Sequence, residues 1–324
     1  MPIIPRRRIL GLASAMVLSL VAVIGASRRT EAAPHPAPHD TTLAARTANL
    51  TNSSEVVRFV DDSLRGLSGK LFSRFVLPGV SAPSGPEFTE MFGDSTLAEP
   101  GVYPLNGDSL AEPFAFISLV PFTMKQGGTL GSYRIGFWPG ERRAVSREYA
   151  NPVGFIEVTP ENADLHVSEH FRLRDFLTHD QTKVWPKYLV LRADLVDKLE
   201  LVIEELQRSG IPVKHMTVMS GFRTPQYNAT GGDPSGRAEM SRHMYGDASD
   251  VFVDNDFDGR MDDLNHDGRI DYRDSQVILA ASERVERAHP ELVGGGGVYK
   301  GTRAHGPFAH IDVRGTRARW GFTQ

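Results

Sequence analysis

The sequence predicts an α+β fold, with a β-rich first half and a second half in which a long helix precedes short strands. Three observations support this. Between residues 55 and 160, short apolar, aromatic and β-branched runs such as "FAFISLVPFTM" and "GFIEVT" are separated by Gly and Pro clusters. Residues 190–210, "VLRADLVDKLELVIEELQRSG", carry apolar residues at helical spacing. After them, "VKHMTVMSG", "GDASDVFVD" and "FAHIDVRG" read as strands.

The chain has 324 residues, 40% of them hydrophobic, enough for one large domain or two smaller ones. A formal net charge of −4 gives no global field for nucleic acid or an anionic membrane. The absence of cysteine excludes disulfides, thiolate metal sites and Cys nucleophiles. Any metal must be held by His, Asp, Glu or carbonyl oxygen.

Taken in order, Arg6, Arg7 and Arg8 precede an uncharged run from Ile9 to Ser27. That layout fits a signal peptide over residues 1–33, or an uncleaved membrane anchor. Either places the mature part outside the cytoplasm, in the periplasm or cell envelope, with membrane contact only through an uncleaved segment. Residues 34–54, rich in Pro, Ala, Thr and Asn, read as a linker. Residues 55–160 read as a small, sandwich-like β-rich domain. Its "YRIGFWPG" reads as core strand, with a wall-binding surface as the weaker alternative. "HVSEHFRLRDFL" opens the second domain, residues 165–324, and places Phe171, Leu173, Phe176 and Leu177 near helical spacing behind a Ser168 cap. The long helix buries Leu195, Leu199, Val202, Ile203 and Leu206 and ends at Gly210.

The chemistry lies in "SGFRTPQYN" (220–228), "SRHMYGDASD" (241–250) and "FAHIDVRG" (308–315). His243 and Asp250 flank Gly246, which permits a tight turn. Strand alternation puts His310, Asp312 and Arg314 on one face. Two His and one Asp can hold zinc and leave a position open for water, which is the catalytic arrangement.

These three blocks together resemble the VanY-type D-alanyl-D-alanine zinc metallopeptidases. Ser241, His243, Gly246, Ala248 and Asp250 match each fixed position of S-x-H-x-x-G-x-A-x-D. Ser220, Gly221, Phe222, Arg223, Thr224, Pro225 and Asn228 match the block before it, and "HID" supplies H-x-D. The resemblance covers only residues 165–324 and implies the hedgehog/DD-peptidase fold. It implies zinc held by His243, Asp250 and His310, with Arg223 and Ser241 meeting the substrate. Arg223 suits a carboxylate or carbonyl oxygen because a guanidinium stays charged and forks. One departure stands out. Many relatives carry Asp or Glu as general base three residues before the last His, where this chain has Pro307. His305 and Asp312 are the preferred substitutes, with Asp312 alternatively supporting a ligand. Glu239 and Asp247, which flank the first ligand, are the two further candidates, both expected to be solvated.

Between Asp250 and His310, residues 254–274 hold eight Asp in twenty-one positions, and their spacing follows EF-hand loop arithmetic. Asp263, Asn265, Asp267, Arg269, Asp271 and Asp274 fill positions 1, 3, 5, 7, 9 and 12, with Gly268 at 6. The terminal Asp, in place of Glu, resembles dockerin-like loops. An overlapping frame begins nine residues earlier with Asp254, Asp256, Asp258, Gly259, Arg260 and Asp262, and takes Asn265 at position 12. Only the later frame fits every position. Hard oxygen ligands at this spacing predict calcium, and argue against a catalytic base among them. "SQVILAASERVERA" follows as an exiting helix.

The sequence therefore leads to an exported zinc peptidase that hydrolyses peptidoglycan stem peptides or cross-links through zinc-activated water, as D,D-carboxypeptidase or endopeptidase. Two rivals remain: a zinc-bearing wall-peptide-binding module without turnover, which Pro307 favours, and a calcium-dependent adhesin.

Overall fold

Strand propensity in the first half is realised as short strands. The computed structural model describes residues 60–78, 97–105, 110, 112–231 and 237–321. The expected signal or anchor segment (1–33) and linker (34–54) lie outside the described residues. Strands β1 (Ser73–Val76), β2 (Gly101–Leu105) and β3 (Phe114–Ser118) form a sheet in the order β1-β3-β2, with β1 and β3 parallel. β4 (Val120–Pro121), β7 (Gly154–Val158) and β8 (Lys187–Leu189) form a second, and β5 (Thr129–Leu130) with β6 (Tyr133–Arg134) a two-stranded ribbon. This differs from the expected sandwich. The strands of residues 55–160 divide among three small sheets, one completed by β8 from the other half. Within "YRIGFWPG", Tyr133, Ile135 and Trp138 are fully buried and Phe137 is exposed, so the stretch is core.

The helix expected from Ser168 is corrected to a single 3-10 turn, Leu173–Phe176. Residues 163–174 instead fold back on themselves through Leu173 N–H to Leu165 O (3.0 Å) and Arg174 N–H to Ala163 O (2.9 Å). Ser168 bridges Leu71, outside the turn. The same apolar positions satisfy a helix or a tight hairpin, so spacing alone misleads here.

Helix α1 (Ala193–Arg208) buries Leu195, Leu199, Val202, Ile203 and Leu206 as its period requires. It ends in Gly210 at φ +83°, a left-handed stop that favours glycine. After it come β9 (Met216–Ser220), the short α2 (Pro225–Thr230), β10 (Ala248–Val253), α3 (Tyr272–Ala288), β11 (Gly295–Tyr299), β12 (Phe308–Asp312) and β13 (Ala318–Gly321). The five strands of this half form one sheet in the order β13-β11-β12-β10-β9. One hydrophobic cluster runs from Leu71 through α1 to Val313, so the packing is continuous across residues 160–165. Mixed helices and sheets make the fold α+β. Among the described residues, no helix is long and apolar enough to cross a membrane.

Candidate metal centre

Sheet register assembles the site. Asp250 on β10 pairs with Ser220 on β9 and with His310 on β12; His310 pairs with Gly297 on β11, and Gly297 with Trp320 on β13. Registered partners point to the same face. Ser220, Asp250, His310, Gly297 and Trp320 therefore form one row across the sheet. His243 reaches it from the 3-10 turn Arg242–Tyr245, which ends at Gly246 with φ +67°. A Cβ at Gly246 would collide with the Val190 carbonyl, so no other residue fits this turn.

The β-rich half braces that turn. Trp138 Nε1 donates to the Met244 carbonyl at 2.8 Å, and Arg242 donates to the Glu148 carbonyl at 2.6 Å. The Arg242 guanidinium lies 5.0 Å from the Tyr149 ring and 5.2 Å from the Tyr245 ring, and it pairs with buried Asp247.

His243, Asp250 and His310 are buried, and one ligand atom of each lies within 4.8 Å of the others. His310 Nδ1 is 2.8 Å from Asp250 Oδ1 and 3.2 Å from His243 Nε2. The far ring nitrogens are committed elsewhere. His243 Nδ1 lies 2.7 Å from the Gly221 carbonyl, and His310 Nε2 lies 3.2 Å from Asp312 Oδ2. Both those partners only accept, so each far nitrogen carries the proton and donates it. Two nitrogen lone pairs and a carboxylate oxygen then face one another. Such a set needs a positive charge between its members; a proton on His310 Nδ1, against Asp250, supplies one, and two imidazoles with one carboxylate also fit a metal ion in that place. Burial opposes the charged form of each ligand. It pushes His243 below the usual imidazole value. For His310 burial acts the same way, but hydrogen bonds that the ring donates to the Asp250 and Asp312 carboxylates overcome it and raise the value. Asp250, facing both imidazoles, is held well below the usual carboxylate range despite its burial.

The expected supporting residues divide. Arg223 pairs with the other oxygen of Asp250 at 2.6 Å and donates Nε to Ser220 Oγ at 2.8 Å, so it is at the site and bonded to a ligand. Ser241 is buried just before the His243 turn, where its carbonyl accepts from Met244 N. Asp312 is fully buried, meets Arg314 and His310, and accepts the Gly295 amide at 2.6 Å. It is the orienter of His310 and has no free face for substrate. His305 bonds Nδ1 to the Gly306 carbonyl at 2.8 Å and sets its ring against Phe308, centroids 5.1 Å apart, on the strand that carries His310. Glu239 is exposed, as expected, and pairs with Arg143, whereas Asp247, expected to be solvated, is corrected to a fully buried carboxylate held by Arg242. Pro307 is buried.

Residues that spacing did not single out complete the face. Trp320 lies 5.0 Å from His310, ring to ring, and its Nε1 donates to Tyr299 Oη at 2.7 Å. The glycine run before Tyr299 makes this possible. A Cβ at Gly297 would collide with the Trp320 indole, and one at Gly295 with the Asp312 carboxylate. A third group, Glu169, His170 and Glu200, also converges, and the pairing of Glu169 with Lys70 and of His170 with Glu200 explains it as an ion-pair network.

In the acidic insert the two loops repeat one backbone, nine residues apart. Asp254 accepts from Asp258 N and Gly259 N at 3.0 Å each, and Asp263 accepts from Asp267 N (3.2 Å) and Gly268 N (2.8 Å). Phe257 and His266 have φ +61° and +59°, and Gly259 and Gly268 have φ +79° and +80°. Among the described residues, the carboxylates that converge are Asp254, Asp256 and Asp262 of the first loop, the frame with the poorer sequence fit. In the second loop Arg273 pairs with Asp267 and Asp271, and Asp274 accepts amides from Leu264 and Asp271. Asn265, expected in both frames, accepts from Asp267 N within the second loop. Arg260 and Arg269 donate their amides to Asp258 and Asp267, which closes each turn.

Comparisons with family models, curated proteins and solved structures return no match for this chain.

Proposed function

We propose that the chain is an exported zinc peptidase acting on peptidoglycan peptides, with residues 165–324 as a hedgehog/DD-peptidase-like domain. The observation that carries this reading is the buried meeting of His243 Nε2, His310 Nδ1 and Asp250 Oδ1, whose outward nitrogens are fixed by Gly221 and Asp312. Zinc held there supplies Lewis acidity and a water nucleophile near neutral pH. The chain's own residues do the rest. Asp312 holds His310 in the tautomer that leaves Nδ1 free. Arg223, at the edge of the site with Asp250, presents a guanidinium to a substrate carboxylate or carbonyl oxygen. Of the expected bases, Asp312, Glu239 and Asp247 are all ion-paired. His305 remains, and its Nδ1 contact with Gly306 O leaves Nε2 to accept a proton. The basic and apolar N-terminal run supports export.

Calcium in the insert belongs to the same proposal, with the first loop as the better-formed site. A module that binds wall peptides without turnover is the second reading, favoured by Pro307 where a carboxylate base is expected. Purified protein incubated with defined cross-linked and linear muropeptides, with a chelator and then with zinc restored, decides between them. Zinc-dependent release of a cleaved peptide is expected. Zinc-dependent binding with intact muropeptides after prolonged incubation selects the module instead.

A further inference from the structure

The row of residues across the sheet has a neighbour that neither the motifs nor the ligand set uses. Tyr299 is cross-strand partner to Phe308 and lies two residues beyond Gly297, the partner of His310. Alternation places it on the same face as His310, one diagonal step away, within reach of a long aromatic side chain. Its ring stacks on Phe308 with centroids 4.5 Å apart and planes 9° apart. Its oxygen is fixed by Trp320, whose indole donates at 2.7 Å and whose ring packs 5.0 Å from that of His310. An indole N–H can only donate, so the phenol oxygen accepts there and its own proton is left to point elsewhere. Tyr299 is 37% exposed, whereas His310 is buried, which sets it at the mouth of the site rather than in its floor. Its ionisation is raised by burial and by the charge of Asp250, against the opposing effects of the Trp320 hydrogen bond and Arg223. The phenol is therefore a neutral donor near neutral pH.

We propose that Tyr299, positioned by Trp320 across the gap left by Gly297, donates a hydrogen bond to an anionic oxygen bound at the His243–Asp250–His310 site. In a peptide substrate that oxygen is the scissile carbonyl oxygen as negative charge develops on it. A fixed donor aimed at developing charge acts chiefly on the rate and little on ground-state binding. This rests on the peptidase reading for the identity of the oxygen, and on the metal site for its location.

The test uses the full chain loaded with cobalt(II), a visible substitute for zinc. Inorganic phosphate is titrated while the metal's absorption is followed, and metal affinity is measured separately by chelator competition. Tyr299→Phe should weaken phosphate roughly tenfold, as loss of a hydrogen bond to a charged group does, with cobalt affinity within about twofold. Trp320→Phe, which keeps the phenol and removes its anchor, should give a smaller loss. On cleavable muropeptides Tyr299→Phe should lower kcat about tenfold or more with KM little changed. Unchanged phosphate affinity in Tyr299→Phe overturns the proposal, as does a parallel fall in cobalt affinity, which would mark a structural role. A wild type that binds no cobalt overturns it together with the metal site. If phosphate discriminates the variants but no muropeptide is cut, the donor stands and the peptidase reading alone fails.

Discussion

At Asp312 one fully buried carboxylate serves His310, Arg314 and the Gly295 amide at once, and those partners hold it below the usual carboxylate range although burial opposes this. It fixes which nitrogen of His310 faces the metal cluster. Asp312→Ala should therefore lower metal affinity by about 10- to 100-fold, as loss of a supporting carboxylate does elsewhere. Competition against a chromogenic chelator measures this, and an affinity within twofold of wild type would show that the ring needs no such support. The candidate ligands His243, Asp250 and His310 were legible because the motifs that carry them lie in two short blocks of sequence. The rest was not. Gly297 and Trp320 meet His310, and Tyr299 comes to lie beside them, only through the pairing of β11 with β12 and β13, and register between strands leaves no mark in a single stretch of sequence.

Elements were legible where their period was long. The sixteen residues of α1 have one apolar face, so reading and structure agree. The shorter stretch from Ser168 was misread because its charges, not its apolar period, decide its path. His170 turns to Glu200 on α1, Nδ1 to Oε2 2.7 Å, and Glu169 to Lys70. That hydrogen bond to Glu200 raises His170 above its ordinary value against the effect of burial. A raised histidine stabilises the fold fully below its unfolded value near 6.5, and the contribution fades as pH rises through the folded value. The stability difference between wild type and His170→Gln, from urea melts, should therefore be larger at about pH 5.5 than at about pH 9. A difference independent of pH would mean that the fold leaves the imidazole's proton affinity unchanged, and a smaller difference at low pH that it holds the ring neutral. The acidic loops allow a second test at this scale. Gly268 adopts φ +80°, where a side chain costs about 1–2 kcal/mol, and nothing lies within 4 Å of the added Cβ. Gly268→Ala should lose about that much stability through backbone strain alone. No loss would mean that the loop relaxes to another turn.

Across the whole molecule, the insert is tied to the candidate metal site at both ends. Its first loop leaves β10 four residues after Asp250, and Asp262 N donates back to the Val253 carbonyl at 2.9 Å. Its second loop runs into α3, whose Glu286 holds Lys198 Nζ at 2.7 Å. Lys198, fully buried on α1, donates also to the Asp312 carbonyl at 2.8 Å, and Arg319 closes the network on Glu286. Bonded contacts therefore run from the loops to Asp250 along one strand and to Asp312 through α3 and Lys198. Ions held by the loops would offset carboxylate repulsion and favour the ordered form. Protein prepared with zinc alone should melt at a lower temperature than the same protein with calcium. Calcium at about 100 times its dissociation constant adds roughly 2.7 kcal/mol per independent site. If the connection through Lys198 transmits that order, calcium should also tighten zinc, and Lys198→Met should weaken this second effect while leaving calcium binding itself intact. Calcium that binds but moves neither the melting temperature nor zinc affinity would separate the two sites, and would leave the insert as an independent appendage on the sheet.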